Sequence, residues 1–170
     1  PIIYPNNNWD QIKSDYERCD YITLGCIVKN SKTNERTKIR NENYEFVRKL
    51  RGNSPKTQFI YYSLRKDHKI KKFLEYFPEY KDEFLKMQEK LHKWTNELYN
   101  NYRNCFIKKE KKLKEYSFPF RIHMYNLHQL YLSQLRTNGF YIDRKEVIGH
   151  VNNLDPAALM FLINHPDLKV

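Results

Sequence analysis

Glycine is scarce in this chain, with four residues in 170. That excludes a collagen-like repeat or a Gly-rich linker, and no Gly-rich P-loop occurs. Cysteine is almost as rare. Cys19, Cys26 and Cys105 are an odd number at wide spacing, which argues against a disulfide framework and for a reducing, cytoplasmic compartment. No run of about 18 apolar residues occurs, so no membrane span or membrane partner is expected. No basic-then-apolar start marks a secretory signal. The G-x-S-x-G and H-E-x-x-H patterns are missing, and no paired carboxylates stand out in an apolar setting. His123 and His128 are five apart, which is not one helical face, so a shared metal is not expected. Nothing points to self-contained catalysis, and no cofactor is expected in this chain.

What is present suits one folded domain or a domain with an appendage. Hydrophobic residues make up 40% of the chain and aromatics 15%, enough to bury a core. The chain begins at Pro1 rather than Met, so a processed product or a piece of a longer protein is expected. Asn, Lys, Ile and Tyr together supply 65 of the 170 residues, and their codons suggest an A/T-rich source genome.

The formal charge is +11, and its placement matters more than its size. Between Lys29 and Lys72 there are 14 Lys and Arg against four acids (Glu35, Glu42, Glu45, Asp67), a net +10. A generic solvated surface would spread its lysines. A concentrated block favours a polyanion, most simply nucleic acid, with an acidic protein or a lipid surface as alternatives.

Periodicity divides the chain in two. Trp9, Ile12 and Tyr16 fall at helical spacing. "YITLGCIVKN" and "ERTKIR", joined by the turn residues "NSKTN", predict strands at about 21–29 and 35–40. The pattern then becomes helical. Asn41 caps "ENYEFVRKLR", which Gly52 ends, and Tyr44, Val47 and Leu50 face inward. "TQFIYYSL" fits either strand or helix, and "DHKIKKFLEYF" fits a helix capped by Asp67. Phe84, Met87, Leu91, Trp94, Leu98, Tyr102 and Cys105 form one stripe on a helix of about seven turns. Phe120, Met124, Leu127, Tyr131 and Leu135 mark the next helix, closed at Asn138–Gly139. Asp143 with Glu146 reads as a capping box, and Asp155–Pro156 opens an almost wholly apolar last helix expected to be buried. The fold class is therefore mainly α: a short β-hairpin at about 21–40, then a helical bundle of about six helices. A two-stranded hairpin is marginal alone in water, so these strands are expected to be the edge of a larger sheet.

The candidate site residues lie in the basic block. Arg36, Lys38 and Arg40 share one face of a strand, because side chains alternate. Three cations about 7 Å apart repel one another unless solvated or paired with an anion. They are either a charged edge that blocks aggregation or a phosphate clamp. Arg48, Lys49, Arg51, Lys56, Arg65, Lys66 and Lys69 are the further candidates for holding an RNA backbone. Tyr80, Tyr102 and Tyr131 lie on apolar stripes and read as core. Tyr61 and Tyr62 could equally stack bases.

The stretch "GCIVKNSKTNERTKIRNENY" resembles the end of the nucleotidyltransferase domain of bacteriophage-type RNA ligases. That family has an E-G-x-V strand (motif IV), a K-x-K strand (motif V) and then N-P-x-Y opening a helix. Here "LGCIV" stands at motif IV, "TKIR" at motif V, and "NENY" follows. The helical remainder resembles C-terminal regions of ligase-like proteins of giant DNA viruses. The resemblance implies ATP-dependent joining of RNA ends, with Lys38 and Arg40 contacting nucleotide phosphates. It also implies ATP and Mg²⁺ as cofactors of a complete ligase. Residues 1–52 would be the end of the nucleotidyltransferase-like domain and 53–170 a helical C-terminal domain. Leu24 stands where motif IV carries a Glu, and leucine cannot ligate a hard cation. The family's K-x-x-G nucleophile strand is not found ahead of motif IV. The reading is thus the RNA-binding part of a ligase-like protein, in an infected host cell or virus factory. Its other partner would be the missing nucleotidyltransferase half or another viral protein. The alternatives are a catalytically inactive relative and a protein-interaction module.

Overall fold

Side-chain caps start α-helices at Asn8, Asn41, Asp143 and Asp155. The computed structural model describes residues 8–169, which form eight α-helices and one two-stranded sheet. The chain divides into two compact units, Pro1–Asn53 and Ser54–Val170.

In the first unit, the Asn8 side chain accepts from the Gln11 amide and starts α1, Trp9–Glu17. Of the three residues at helical spacing, only Ile12 is buried. Strands β1, Gly25–Lys29, and β2, Arg36–Arg40, pair antiparallel with Cys26 opposite Ile39 and Ile27 opposite Lys38. The turn between them is built by Asn30. Its carboxamide oxygen accepts from the Lys32 and Thr33 amides at 2.9 and 3.2 Å, and Asn34 takes the left-handed conformation at φ 60°. Asn tolerates that region better than most residues. Helix α2, Glu42–Arg51, ends on Gly52 at φ 65° and buries Val47 and Leu50.

The first strand is shorter than the predicted 21–29. Residues 21–24 form a loop held by Asn41, which is 0% exposed. The Asn41 carboxamide nitrogen donates to the carbonyls of Cys19, Asp20 and Thr23 at 3.1, 2.7 and 2.8 Å. Two N–H groups serve three acceptors, so one is shared. The Asn41 oxygen accepts from the Asn43 amide at 3.0 Å, so the same side chain caps α2. Backbone polar groups that turn away from a ladder need such partners.

The second unit comprises α3 (Thr57–Lys66), α4 (Ile70–Tyr76), α5 (Lys81–Tyr102), α6 (Phe118–Leu130), α7 (Arg144–Asn152) and α8 (Pro156–Asn164). Helix α5 is the axis and packs against α3, α6, α7 and α8. Its stripe residues Leu91, Trp94, Leu98 and Tyr102 are buried, facing Met124, Leu127, Val147, Val151 and Leu159 on the surrounding helices. Each such aliphatic side chain contributes roughly 2 kcal/mol when fully buried. An aromatic cluster closes one end. Phe73 stacks on Phe84 at 5.3 Å between centroids, and Tyr61 meets Phe84 edge-on at 5.1 Å.

Several boundaries differ from the sequence expectations. Seven helices follow the hairpin where about six were expected, because "TQFIYYSL" is α3, and the short helix expected at Trp9 is α1. Asp67 does not cap α4. It closes α3, and Lys69 occupies the N-cap position of α4. Helix α5 is 22 residues, six turns, and continues as a π-helical turn, Arg103–Ile107. A second π turn, Tyr131–Leu135, follows α6. Helix α8 is not buried all round. Pro156, Leu159 and Leu162 form its buried face, while Phe161 is 46% exposed. The helix lies against α3 and α5 on one side only. The capping box at Asp143–Glu146 and the Asp155–Pro156 start are both present.

Candidate nucleic-acid interface

The register of the hairpin sorts the basic residues onto faces. Directly paired residues project to the same side. Gly25, Ile27 and Lys29 therefore share a face with Arg40, Lys38 and Arg36. Except for Gly25, every residue on this face is exposed. The opposite face carries Cys26, Val28 and the buried Ile39, and α1 packs on the sheet. Ile39 at 7% exposure against Lys38 and Arg40 in solvent is the alternation that fixes the cationic face outward.

Gly25 is required here. At φ 120°, a Cβ would sit 2.1 Å from the Ile39 carbonyl oxygen, so no side chain fits. The bare backbone at this point leaves Arg40, its cross-strand partner, uncovered.

The cations of this face are not equivalent. Arg40 lies 3.4 Å from Glu45, which also holds Arg48 at 3.3 Å. Among the described residues, no carboxylate pairs with Lys29, Arg36 or Lys38. Glu35, the acid nearest the turn, accepts the Thr33 hydroxyl at 2.9 Å. Lys29 and Arg36 are directly opposed across the ladder, an unfavourable like-charge pair unless an anion bridges it. Lys29 escaped the sequence reading because its place on this face depends on the pairing register. On α2, Arg48 and Lys49 are exposed and Arg51 is half-buried. A K-x-x-G string does occur at Lys49-Leu50-Arg51-Gly52. It closes a helix rather than forming a strand, with Gly52 as the cap, so it does not reproduce the ligase nucleophile strand.

The second unit holds the remaining candidates. Lys56 and Lys66 are exposed at the two ends of α3. Arg65 donates to the Asn152 side-chain oxygen. Lys69 lies 3.1 Å from Asp67. Tyr61 and Tyr62 are 3% and 1% exposed, which places them in the core and removes them as base-stacking rings. Burial pushes both hydroxyls above the usual tyrosine range. The thiols of Cys26 and Cys105 are also raised, chiefly by burial, which disfavours their nucleophilic thiolate forms.

Tertiary structure also makes pairs that sequence spacing hides. His123 on α6 meets not His128 but His150 on α7, with Nδ1 to Nε2 at 2.9 Å. Burial, with a smaller push from His150, holds His123 down at about 4. No cluster of three or more metal-ligating side chains occurs among the described residues, and no helix there is long and apolar enough to cross a membrane. In comparisons with family models, curated proteins and solved structures, nothing matches this chain.

Proposed function

We propose that the chain binds RNA through its phosphates, as the RNA-binding part of an ATP-dependent RNA ligase-like protein. The observation that carries the binding is the outward face of the hairpin, where Lys29, Arg36 and Lys38 stand exposed without carboxylate partners among the described residues. Bringing a phosphate backbone against them relieves their mutual repulsion and releases counterions from the nucleic acid. Arg40 and Arg48 can join at little cost, since exposed pairs such as those with Glu45 contribute about 0–1 kcal/mol.

The experiment is polarisation binding of a labelled single-stranded RNA across a salt series. Replacing Lys29, Arg36 and Lys38 together by Ala removes three phosphate contacts. For single strands each is worth about 0.7 in the log–log salt slope, so the slope should flatten by about 2. Extrapolated to 1 M salt the curves converge, so at about 0.1 M affinity should fall on the order of 10- to 100-fold. All three side chains are exposed, so the circular dichroism spectrum should not change. Weak wild-type binding that is flat with salt would overturn the proposal.

The ligase-like assignment rests on the "LGCIV…TKIR" arrangement, with Lys38 facing solvent at the motif V place. Leu24, 64% exposed just ahead of β1, offers no metal ligand at the motif IV place. With labelled ATP and Mg²⁺, this chain should form no covalent adenylate. A labelled band, mapped to Lys49 or any other lysine, would show that it carries its own nucleophile. A longer form with a K-x-x-G strand would take label if ligation is intact, and no label there would mark an inactive relative.

A further inference from the structure

We propose that the second unit carries a stacking site for an unpaired nucleobase, formed by the exposed ring of Tyr141. The inference rests on the RNA-binding reading and gives it a second, sequence-tolerant contact. Four rings form a stepped column. Phe106 lies over His128 at 3.9 Å and 10°, His128 over Tyr131 at 5.8 Å and 28°, and Tyr131 over Tyr141 at 6.3 Å and 17°. Tyr141, at the outer end, is 72% exposed. A ring this exposed contributes little to the core, while a near-parallel ring behind it sets its plane.

Two features mark the column as built. Phe106 and Tyr131 each sit on one of the two π turns, an irregularity frequent at functional sites. The backbone of Tyr141 is also held on both sides. Before it, Gly139 turns the chain at φ 72°, and the Phe140 amide donates to the Leu135 carbonyl at 2.9 Å. After it, Ile142 is 4% exposed and Asp143 caps α7. A platform fixed in this way binds a ring with little ordering cost.

Charge chooses the occupant. From residue 116 to 154 the only acids are Asp143 and Glu146. Both are tied to backbone amides in the capping box, Asp143 to those of Lys145 and Glu146, and Glu146 to that of Asp143 at 3.1 Å. Arg136 and Arg144 are exposed, with no carboxylate partner among the described residues, while the exposed Lys145 helps hold the Asp143 carboxyl below its usual range. Arg144 and Arg103 both lie over the Tyr99 ring, at 6.0 and 5.7 Å. An exposed ring flanked in sequence by Arg136 and Arg144 fits a base and its phosphate. An apolar partner protein would use the ring but leave the cations unmatched.

The test uses the whole chain and three probes: single-stranded oligoadenylate, the same strand with abasic sites, and a duplex of equal length. Tyr141→Ala should weaken oligoadenylate binding about tenfold. It should leave binding of the duplex and of the abasic strand unchanged, along with the salt slope. Tyr141→Phe should bind like the wild type, because the ring face and not the hydroxyl is used. If Tyr141→Ala binds oligoadenylate normally while the hairpin triple variant loses affinity, the stacking site is wrong and RNA binding stands. Equal losses on all three probes would also overturn the site. A wild-type chain that binds none of the probes would overturn both proposals.

Discussion

Replacing Asn41 by Ala should destabilise the first unit by roughly 3 kcal/mol, a large effect for one side chain. Two contributions add. The carbonyls of Cys19, Asp20 and Thr23 lose the donor that holds residues 19–23, and α2 loses its N-cap. Asn43 offers partial compensation, since its carboxamide also donates to the Cys19 carbonyl at 2.9 Å. Asn41→Asp is the sharper variant. It keeps the cap but sets a carboxylate against three carbonyl oxygens, so at neutral pH it should be no more stable than Asn41→Ala. Amide exchange over residues 36–50 in the intact chain reads this unit directly. Protection that is unchanged in both variants would show that the loop stands without Asn41. The prediction bears on function, because this loop and cap join β1 and β2 to α2, and the unpaired cations stand on those strands.

Acid should destabilise the second unit well before general carboxylate protonation. His123 is held at about 4 by burial, against 6.5 for an ordinary histidine, and His150 is lowered in the same direction. Below 6.5 the unfolded chain therefore takes up protons that the folded chain refuses. The stabilisation is complete above 6.5 and is lost as pH falls towards 4. At about 1.4 kcal/mol per pH unit, His123 alone accounts for a loss of about 3 kcal/mol over that window. The groups facing the pair explain why the protons are refused. Trp94 on α5 meets the His123 ring edge-on at 5.6 Å, the His150 ring lies 5.1 Å from it, and no carboxylate among the described residues pairs with either imidazole. Urea midpoints at pH 7.5 and 4.5 should differ strongly in the wild type and much less in His123→Gln, which keeps a hydrogen-bonding side chain but does not titrate. An NMR titration placing His123 near 6.5 would sink the idea.

The second unit was legible wherever the signal is periodic and local. The α5 stripe from Phe84 to Tyr102, the capping box at Asp143 and the Asp155–Pro156 start need only residues three or four apart, and each is in the structure. Tyr61 and Tyr62 show the limit. The sequence left stacking and core equally open for them, and both rings are in the core because α3 packs against α8 and α5. His123 shows the same limit from the other side. Its nearest histidine in sequence, His128, joins the ring column, while His150, 27 residues away, becomes its hydrogen-bond partner.

The sequence by itself determined the helical class, the hairpin, the caps at Asn41, Asp143 and Asp155, and the shared strand face of Arg36, Lys38 and Arg40. Each follows from alternation, helical period or a capping side chain, all of which act within a few residues. Tertiary structure alone decided that Lys29 joins the cationic face while Glu45 engages Arg40. It also decided that Asn41 gathers three carbonyls from 18 to 22 residues upstream, and that four rings from α6, the two π turns and the loop before α7 line up behind Tyr141. Those arrangements depend on strand register and on which helices meet, and neither is encoded at any fixed sequence spacing.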